Sequence, residues 1–192
     1  EQAIGDSISP NSSLIFTVEV LAVLPAGEAD PVFLDFKDIG IKPKKLGLTD
    51  ELLATVQFSK TGLDLNDELN GGEEVDLLMG LKGKDTLHGG LGADVLIGGK
   101  GKDRFLYSGV EDSLADADGR DHILDFGKKD KINLQALAEE LQYIKKRQFT
   151  GTAGEVRFKK ETLSIDIDGD ELADFAVALP GVEKLKGSNL LL

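Results

Sequence analysis

The chain has 192 residues, enough for one or two domains with a buried core. It carries 35 acidic and 22 basic side chains, so its formal net charge is −13 and no nucleic-acid partner is expected, because phosphates need a positive surface. The absence of cysteine excludes disulfides and thiolate metal sites, and no apolar stretch approaches the roughly 18 residues needed for a membrane span.

Residues 1–24 are interpreted as a separate segment that ends in a strand. A proline turn, GDSISPNSS (5–13), precedes the alternating run LIFTVEVLAV (14–23). Over residues 4–23 this series resembles the last strand of FKBP-type prolyl isomerases, whose family ends in I-P-P-N-x-x-L-x-F-x-V-E-L-L. The resemblance implies that Phe16 corresponds to a pocket residue and that the other pocket residues lie upstream of Glu1. We expect a fragment without isomerase activity; an unrelated strand is the alternative.

The start of the chain supports the same expectation of a missing upstream part, because Glu1 is not followed by a basic and then an apolar leader. Residues 25–61 are predicted to be a linker and a capping segment. Three prolines between residues 25 and 43 are typical of a linker. Residues 49–58 predict an N-capped helix with Leu52, Leu53 and Val56 on one side, which would cover the open end of a repeat fold.

A period of nine residues runs through residues 62–106. The lines are GLDLNDELN, GGEEVDLLM, GLKGKDTLH, GGLGADVLI and GGKGKDRFL. The sixth position is always aspartate and the eighth is always large and apolar: Asp67, Asp76, Asp85, Asp94 and Asp103, then Leu69, Leu78, Leu87, Leu96 and Phe105. The alternative interpretation is a flexible glycine-rich linker. It does not explain why aspartate and a large apolar residue recur at fixed positions of the repeat.

These lines resemble the nonapeptide G-G-x-G-x-D-x-U-x of the RTX calcium-binding parallel β-roll. Six residues form a turn in which glycine supplies positive φ, and three form a strand whose middle side chain points inward. Two lines make one coil, so turn n stacks on turn n+2 and offers carbonyl and carboxylate oxygens to calcium. The predicted ligands are Asp67, Asp76, Gly80, Gly83, Asp85, Gly89, Gly90, Gly92, Asp94, Gly98, Gly99, Gly101, Asp103 and Asp112.

The stacking predicts one ladder of carboxylates on each edge of the roll. Asp67, Asp85 and Asp103 form the first ladder. Asp76 and Asp94 form the second, which continues to Asp112 if YSGVEDSL (107–114) is a worn sixth copy of the repeat. Up to four calcium ions follow from three rungs on each edge.

An apolar stripe is predicted on the outer face of one sheet of the roll. If the eighth position points inward, the seventh and ninth point outward, and in two lines these are Leu77, Met79, Val95 and Ile97. Such a stripe is unusual on the surface of a soluble monomer. We therefore expect it to be covered by the N-terminal segment, by a helix, or by a second copy in a homo-oligomer.

Beyond the roll, alternating runs predict strands at 121–126, 130–134, 154–160, 162–168, 175–181 and 190–192. Gln135 to Lys146 is predicted to be a helix, because Leu137, Leu141 and Ile144 have helical spacing. No H-E-x-x-H motif occurs, so the zinc protease chemistry of that motif is absent and the chain itself is not expected to be an enzyme.

The series DRFLY, DHILDF, DKINL and SIDIDGDELADF resembles the C-terminal domain of serralysin-type secreted proteases and the R-modules of mannuronan epimerases, over residues 62–192. The resemblance implies an all-β fold, a parallel β-roll continuing into an antiparallel β-sandwich with one or two short helices. It also implies calcium-dependent folding and an extracellular location after export by an ABC-transporter (type I) machinery. The family tail often has an acidic residue before three apolar ones, whereas Asn189 precedes Leu190–Leu192 here.

Two further groups of aspartates are candidate calcium ligands. Asp166, Asp168, Asp170 and Asp174 stand at relative positions 1, 3, 5 and 9, although an Asp-Gly hairpin turn explains them as well. An EF-hand is excluded because the twelfth position, counted from Ser164, is Phe175. The second group either closes the end of the roll or solvates loops; it consists of Asp118, Asp121, Asp125 and Asp130.

The sequence therefore predicts a calcium-binding RTX module of a secreted bacterial-type protein that folds when calcium binds. One alternative is the C-terminal part of a secreted FKBP-type isomerase. Another is a carbohydrate-binding R-module, for which the absence of tryptophan and the presence of two tyrosines supply few stacking surfaces.

Overall fold

A computed structural model describes residues 53–192, and this part of the chain is built from short strands. Two 3₁₀ helices, Val110–Asp112 and Gly187–Asn189, interrupt them. The strands are β1 (Phe58–Thr61), β2 (Glu68–Asn70), β3 (Asp76–Met79), β4 (Lys82–Gly83), β5 (Thr86–His88), β6 (Val95–Ile97), β7 (Lys100–Gly101), β8 (Arg104–Leu106), β9 (Asp121–Ile123), β10 (Lys131–Asn133), β11 (Gln142–Lys145), β12 (Glu155–Lys159), β13 (Thr162–Asp166), β14 (Phe175–Ala178) and β15 (Leu190–Leu191).

Most of these strands belong to two sheets. The eight-stranded sheet has the order β1-β3-β6-β9-β14-β13-β12-β11, and the five-stranded sheet has the order β15-β10-β8-β5-β2. Within the repeats, strands β2, β3, β5, β6 and β8 alternate between the two sheets, and neighbours within each sheet run parallel. The two-residue strands β4 and β7 pair with each other in a separate parallel sheet. Leu69 pairs with Leu87, and Leu87 pairs with Phe105. This register confirms that two nonapeptides make one coil.

The side chains at the eighth position of the repeat fill the space between the two sheets. Leu78, Leu87, Leu96 and Phe105 are fully buried, and Leu69 is 4% exposed. A three-residue strand directs its middle side chain to one face, so each nonapeptide contributes one large apolar group to the core. The repeat therefore builds its own core, at about 2 kcal/mol of apolar burial for each such side chain.

The roll continues beyond residue 106 by one more coil. Ile123 of β9 pairs with Leu96, and Ile132 of β10 pairs with Phe105. The two units that follow residue 120 therefore lie in different sheets, one on each side of the core. Residues 107–120 form a loop with a 3₁₀ helix between these coils.

The remaining strands extend both sheets. β12, β13 and β14 are antiparallel neighbours, as predicted, and β14 joins the roll through β9. β15 pairs with β10 at the edge of the five-stranded sheet. The predicted all-β fold, a parallel roll that continues into antiparallel strands, is confirmed. No helix in the described residues is long and apolar enough to cross a membrane.

The predicted helix between Gln135 and Lys146 is wrong. Residues 135–137 form a turn, and Gln142–Lys145 is strand β11, which lies parallel to β12. Leu137 joins the main core, whereas Ile144 is buried outside that cluster. Helix propensity is worth only tenths of a kcal/mol per residue, so pairing with the free edge of β12 outweighs it.

The apolar stripe on the outer face of the roll is covered, as predicted. Leu77, Met79, Val95 and Ile97 are at most 1% exposed and form a cluster with Leu124. Two residues near the start of the described part, Leu53 and Val56, pack against this cluster. The stripe is therefore buried within the chain and offers no surface to a second copy. Residues 49–52 of the predicted helix lie outside the described residues. Of the remainder, Leu53 is helical, Ala54 and Thr55 form a turn and Phe58 begins strand β1, so the prediction of a helix that extends to residue 58 is wrong.

Candidate metal centre

Aspartates of successive coils form a continuous ladder on the first edge of the roll. The backbone N–H of Asp67 donates to Oδ1 of Asp85 at 2.9 Å, and that of Asp85 donates to Oδ1 of Asp103 at 3.1 Å. The N–H of Asp103 donates to Oδ1 of Asp130, again at 3.1 Å. The first ladder therefore has four rungs, one more than the sequence predicts.

The opposite edge carries the second ladder. The N–H of Asp76 donates to Oδ1 of Asp94 at 2.8 Å, and the N–H of Asp94 donates to Oδ1 of Asp121 at 2.9 Å. In both ladders one carboxylate oxygen is thus held by the backbone of the preceding rung. The orientation of the second oxygen is fixed as a consequence.

The second oxygen divides the rungs into two groups. Oδ2 of Asp85, Asp94, Asp103 and Asp121 is buried and has no hydrogen-bond partner. By contrast, Oδ2 of Asp67 accepts the N–H of Leu63 at 2.8 Å, and the outer carboxylates Asp76 and Asp130 accept similar bonds from their own turns. A buried acceptor without a donor is costly, so four positions along the ladders are built for a group that the protein does not supply.

The raised pKa values of the ladder carboxylates also indicate a site for a cation. Burial, reinforced by neighbouring carboxylates, raises the pKa of Asp94 to about 7 and that of Asp103 to about 6. Burial also raises the pKa of Asp76, Asp85 and Asp121, the last well above its usual range. The ionised carboxylates repel one another and have lost their hydration, so a bound cation would stabilise them.

Glycines border the free carboxylate oxygens. A Cβ on Gly80 would lie 2.5 Å from Oδ2 of Asp85 and 2.6 Å from the carbonyl oxygen of Gly98. A Cβ on Gly98 would lie 2.9 Å from Oδ2 of Asp103. A side chain at Gly80 would therefore fill the space between a carboxylate and a carbonyl oxygen, and one at Gly98 would crowd the carboxylate of Asp103.

The other predicted glycines shape the same turns. Gly90 and Gly99 have φ of 98° and 89°, a backbone region that other residues rarely adopt, and Gly99 lies against the backbone of Leu81. Positive φ also occurs at Gly83 and Gly92, and Gly89 and Gly101 face the carboxylates of Asp94 and Asp103.

This donor set fits a hard divalent cation. It consists of carboxylate oxygens and turn carbonyls without thiolate or imidazole, which is the ligand type of calcium. Asp85, Asp94, Asp103 and Asp121 would hold the ion through Oδ2, together with carbonyl oxygens of the glycine turns. The residues predicted on the two edges are therefore brought together, and their role as ligands stays a prediction.

Asp112 is not the next rung of the second ladder, because Asp121 occupies that place. Asp112 lies in a 3₁₀ helix, and its Oδ2 accepts the N–H of Ser108 at 2.6 Å and the hydroxyl of Ser108 at 3.0 Å. The Nε2 atom of His88 lies 3.1 Å from the same oxygen. The loop over residues 107–120 shifts the register by one nonapeptide, so counting by nines places the wrong aspartate on the ladder.

Asp125 and Asp130, which belong to the second of the two further groups of candidate ligands, close the far end of the roll. Oδ1 of Asp125 accepts the N–H of Gly98 at 2.9 Å, and its Oδ2 accepts that of Gly99 at 2.7 Å. Of the two interpretations of the aspartates near Asp121, closure of the roll is the correct one for Asp121, Asp125 and Asp130. A signal existed in the sequence, since Asp121 and Asp130 are nine residues apart and each is followed two residues later by isoleucine.

Comparison with known proteins agrees with this architecture. The family model described as "Peptidase M10 serralysin C terminal" matches residues 57–192. The chain belongs to the serralysin C-terminal family. No curated protein matches the chain.

Two solution structures resemble this serralysin C-terminal module, the AlgE6R3 and AlgE6R2 subunits of the mannuronan C5-epimerase of Azotobacter vinelandii. Each is 32% identical to it. The AlgE6R3 alignment covers 68% of this chain and 80% of that one, with a TM-score of 0.46. The AlgE6R2 alignment covers 69% and 91%, with a TM-score of 0.48.

The predicted FKBP-type fragment over residues 4–23 lies outside the described residues of this serralysin C-terminal chain. The family match begins at residue 57 and does not extend to it. No comparison supports the fragment.

The second group of aspartates in the module forms a compact cluster. Ligand atoms of Asp166, Asp168 and Asp174 lie within 4.8 Å of one another, and Asp166 is fully buried. Both oxygens of Asp166 accept backbone N–H groups, from Gly169 at 2.7 Å and from Glu171 at 3.0 Å. The carboxylate of Asp170 instead accepts the N–H of Leu172. These bonds stabilise the turn between β13 and β14 by themselves, so the interpretation as a hairpin turn accounts for the cluster, and metal binding there stays a prediction.

Proposed function

We propose that this chain is a calcium-binding module whose β-roll folds around its ions. The observation that supports it is the set of four buried, partnerless carboxylate oxygens on two stacked ladders, at Asp85, Asp94, Asp103 and Asp121. Each ion lies between two neighbouring rungs and takes carboxylate oxygens and turn carbonyls as ligands. Several ions are therefore bound in two rows.

Binding and folding are coupled in this proposal. The ladders exist only when the coils are stacked, because each rung contacts the backbone of its neighbour. A site that is absent from the unfolded chain transfers its binding free energy to folding. Without calcium, the buried carboxylates disfavour the stacked state, since burial raises their pKa.

The proposed site of action is outside the cell, after export in an unfolded state through a type I pathway. Extracellular calcium is abundant enough for modules whose Kd is on the order of 10⁻⁴ to 10⁻³ M. The C-terminal tail supports this order of events, because Leu190 is buried and paired with Ile132 in the folded protein. A tail that acts as an export signal is accessible only before folding.

Calorimetric titration tests the calcium proposal. Calcium added to the chelated chain at neutral pH should bind at several sites, and magnesium should not replace it, because magnesium demands a smaller octahedral shell. Asp94→Asn should lose calcium sites, whereas the exposed control Asp118→Asn should keep them. Absence of calcium binding, or equal binding by both variants, would contradict the proposal.

Export is tested separately in cells that carry a type I exporter. The full chain should appear in the medium, and replacement of Leu190–Leu192 by serines should retain it inside. Equal export of both chains would argue against a signal in the tail and would leave the calcium result unaffected.

A further inference from the structure

A basic cavity lies beside β11, which is the opposite edge of the eight-stranded sheet from β1. Its volume is about 950 Å³, and strand β11 and residues 184–187 form its walls. Ile144, Phe158 and Leu185 contribute buried apolar side chains to its lining, and the hydroxyl of Tyr143 donates to the carbonyl oxygen of Leu185 at 3.0 Å. Buried side chains of the C-terminal strands therefore form the inner wall of the cavity.

The charge around this cavity is opposite to that of the chain. The net charge of the chain is −13, yet five exposed cations line this one place: Lys145, Lys146, Arg147, Lys184 and Lys186. Within the described residues, none of them forms an ion pair with a carboxylate. A cluster of unpaired cations on an acidic protein attracts an anionic partner. Because no carboxylate of the described chain pairs with these cations, a partner could supply the carboxylates.

Strand β11 is irregular where it ends at the cavity. The register between β11 and β12 shifts between Tyr143 and Lys145, and Lys145 has φ of 63°. Lys145 is the last residue of β11 and Lys146 lies in the turn that follows it, and both line the cavity. A left-handed backbone conformation at a lysine costs roughly 1 to 2 kcal/mol, so contacts elsewhere in the fold must stabilise this conformation of Lys145.

Strand β11 is also the edge of the eight-stranded sheet. It pairs with β12 on one side, and no strand of the described chain pairs with its other side. Such an edge offers backbone N–H and C=O groups to an added strand. Lysines and a bulge at an edge discourage pairing with neutral or basic strands, but they do not repel an acidic one.

We propose that this cavity binds an extended acidic peptide that adds as a strand to β11 and places its carboxylates on the surrounding lysines. The free sheet edge favours a peptide over an anionic polysaccharide, because a sugar chain has no backbone to continue the ladder. The aromatic lining also favours a peptide, since Phe158 is buried and Tyr143 is half-buried, which leaves little flat surface for a sugar ring.

The test uses the full chain in saturating calcium and a fluorescein-labelled peptide of alternating glutamate and valine. Fluorescence anisotropy should show binding that weakens as salt is added, and a lysine–valine peptide should not bind. Lys146→Glu and Lys184→Glu should each weaken binding by about fivefold or more, because each change replaces an attraction by a repulsion. The matched control is Arg104→Glu, which makes the same charge change on β8 of the other sheet and should leave affinity within about twofold.

Two further measurements make the result decisive. A peptide methylated on alternate backbone nitrogens should lose binding, because it cannot complete the ladder with β11. Circular dichroism in calcium verifies that every variant is folded, so failure of this proposal is distinguishable from failure of the calcium proposal. No binding of the acidic peptide, an equal effect of Arg104→Glu, unchanged binding of the methylated peptide, or selective binding of an oligouronate or of anionic vesicles would each overturn it.

Discussion

Neutralising an inner rung of a ladder should cost more stability than neutralising an outer rung. Asp103 contacts Asp85 on one side and Asp130 on the other, so Asp103→Asn removes an anionic ligand from two inter-rung positions. Asp67 has one neighbour, Asp85, so Asp67→Asn affects one position. Asparagine keeps an oxygen that can accept the backbone N–H of the preceding rung, and it removes only the charge.

The magnitude follows from binding linkage. With Kd of about 0.3 mM, one site contributes about 2 kcal/mol to stability at about 10 mM calcium. Loss of two sites in Asp103→Asn, Asp85→Asn or Asp94→Asn should therefore lower the free energy of unfolding by about 4 kcal/mol. Loss of one site in Asp67→Asn should lower it by about 2 kcal/mol, and the exposed control Asp118→Asn should lie near zero.

Calcium titration followed by circular dichroism gives the folding midpoints, and urea unfolding in saturating calcium gives the free energies. The inner-rung variants should need the most calcium to fold. In chelator, the same substitutions should not destabilise the chain, because they remove buried like charges. Equal midpoints for inner and outer rungs, or equal losses with and without calcium, would show that the carboxylates do not act as paired ligands.

The remaining predictions concern pH, backbone strain and the C-terminal tail. Burial raises the pKa of Asp94 to about 7 and of Asp103 to about 6, so between about pH 4 and 7 the folded chain holds protons that the unfolded chain has lost. In chelator, the β signal in circular dichroism should therefore fall as pH rises through this range, and a rise would contradict this. Leu81 has φ of 74° at a position where the repeat has glycine, so Leu81→Gly should raise the free energy of unfolding by about 0.5 kcal/mol. A lower free energy of unfolding in this variant would refute the claim that the backbone of Leu81 is strained. Asn189→Asp should lower stability by about 1–3 kcal/mol, because the Asn189 side chain donates to the carbonyl oxygens of Asp130 and Lys128; unchanged urea unfolding would count against it.

The repeat made the roll predictable from the sequence. A period of nine assigns every residue to a turn, an inward position or an outward position, so the core residues and the two edges follow without further information. The apolar stripe was predictable for the same reason, since a repeat architecture determines which positions face outward. The sequence predicted that some segment covers the stripe, but it did not identify Leu124 and Val56 as the residues that do so.

The end of the ladders was not predictable by counting. Asp112 and Asp121 both stand in the nine-residue register, and both are followed two residues later by an apolar side chain, Leu114 and Ile123. A loop of variable length can replace a nonapeptide without breaking the stack, and spacing alone does not reveal it. The isoleucine in both D-x-I units, at Ile123 and Ile132, favours strands and was the signal available.

The prediction of a helix in place of strand β11 was wrong for a different reason. Leu137, Leu141 and Ile144 have helical spacing, but the structure separates them between a turn and a strand. Local spacing carries no information about the unpaired edge of β12, which recruits Gln142–Lys145. The basic cavity depends on this strand, so the sequence gives no indication of it either.

The calcium dependence of folding is the most direct test of the central claim. Circular dichroism of the chelated chain should lack much of its β signal at neutral pH, and added calcium should restore it cooperatively with a midpoint on the order of 10⁻⁴ to 10⁻³ M. Identical spectra in calcium and in chelator would contradict the claim that the carboxylate ladders need ions to fold.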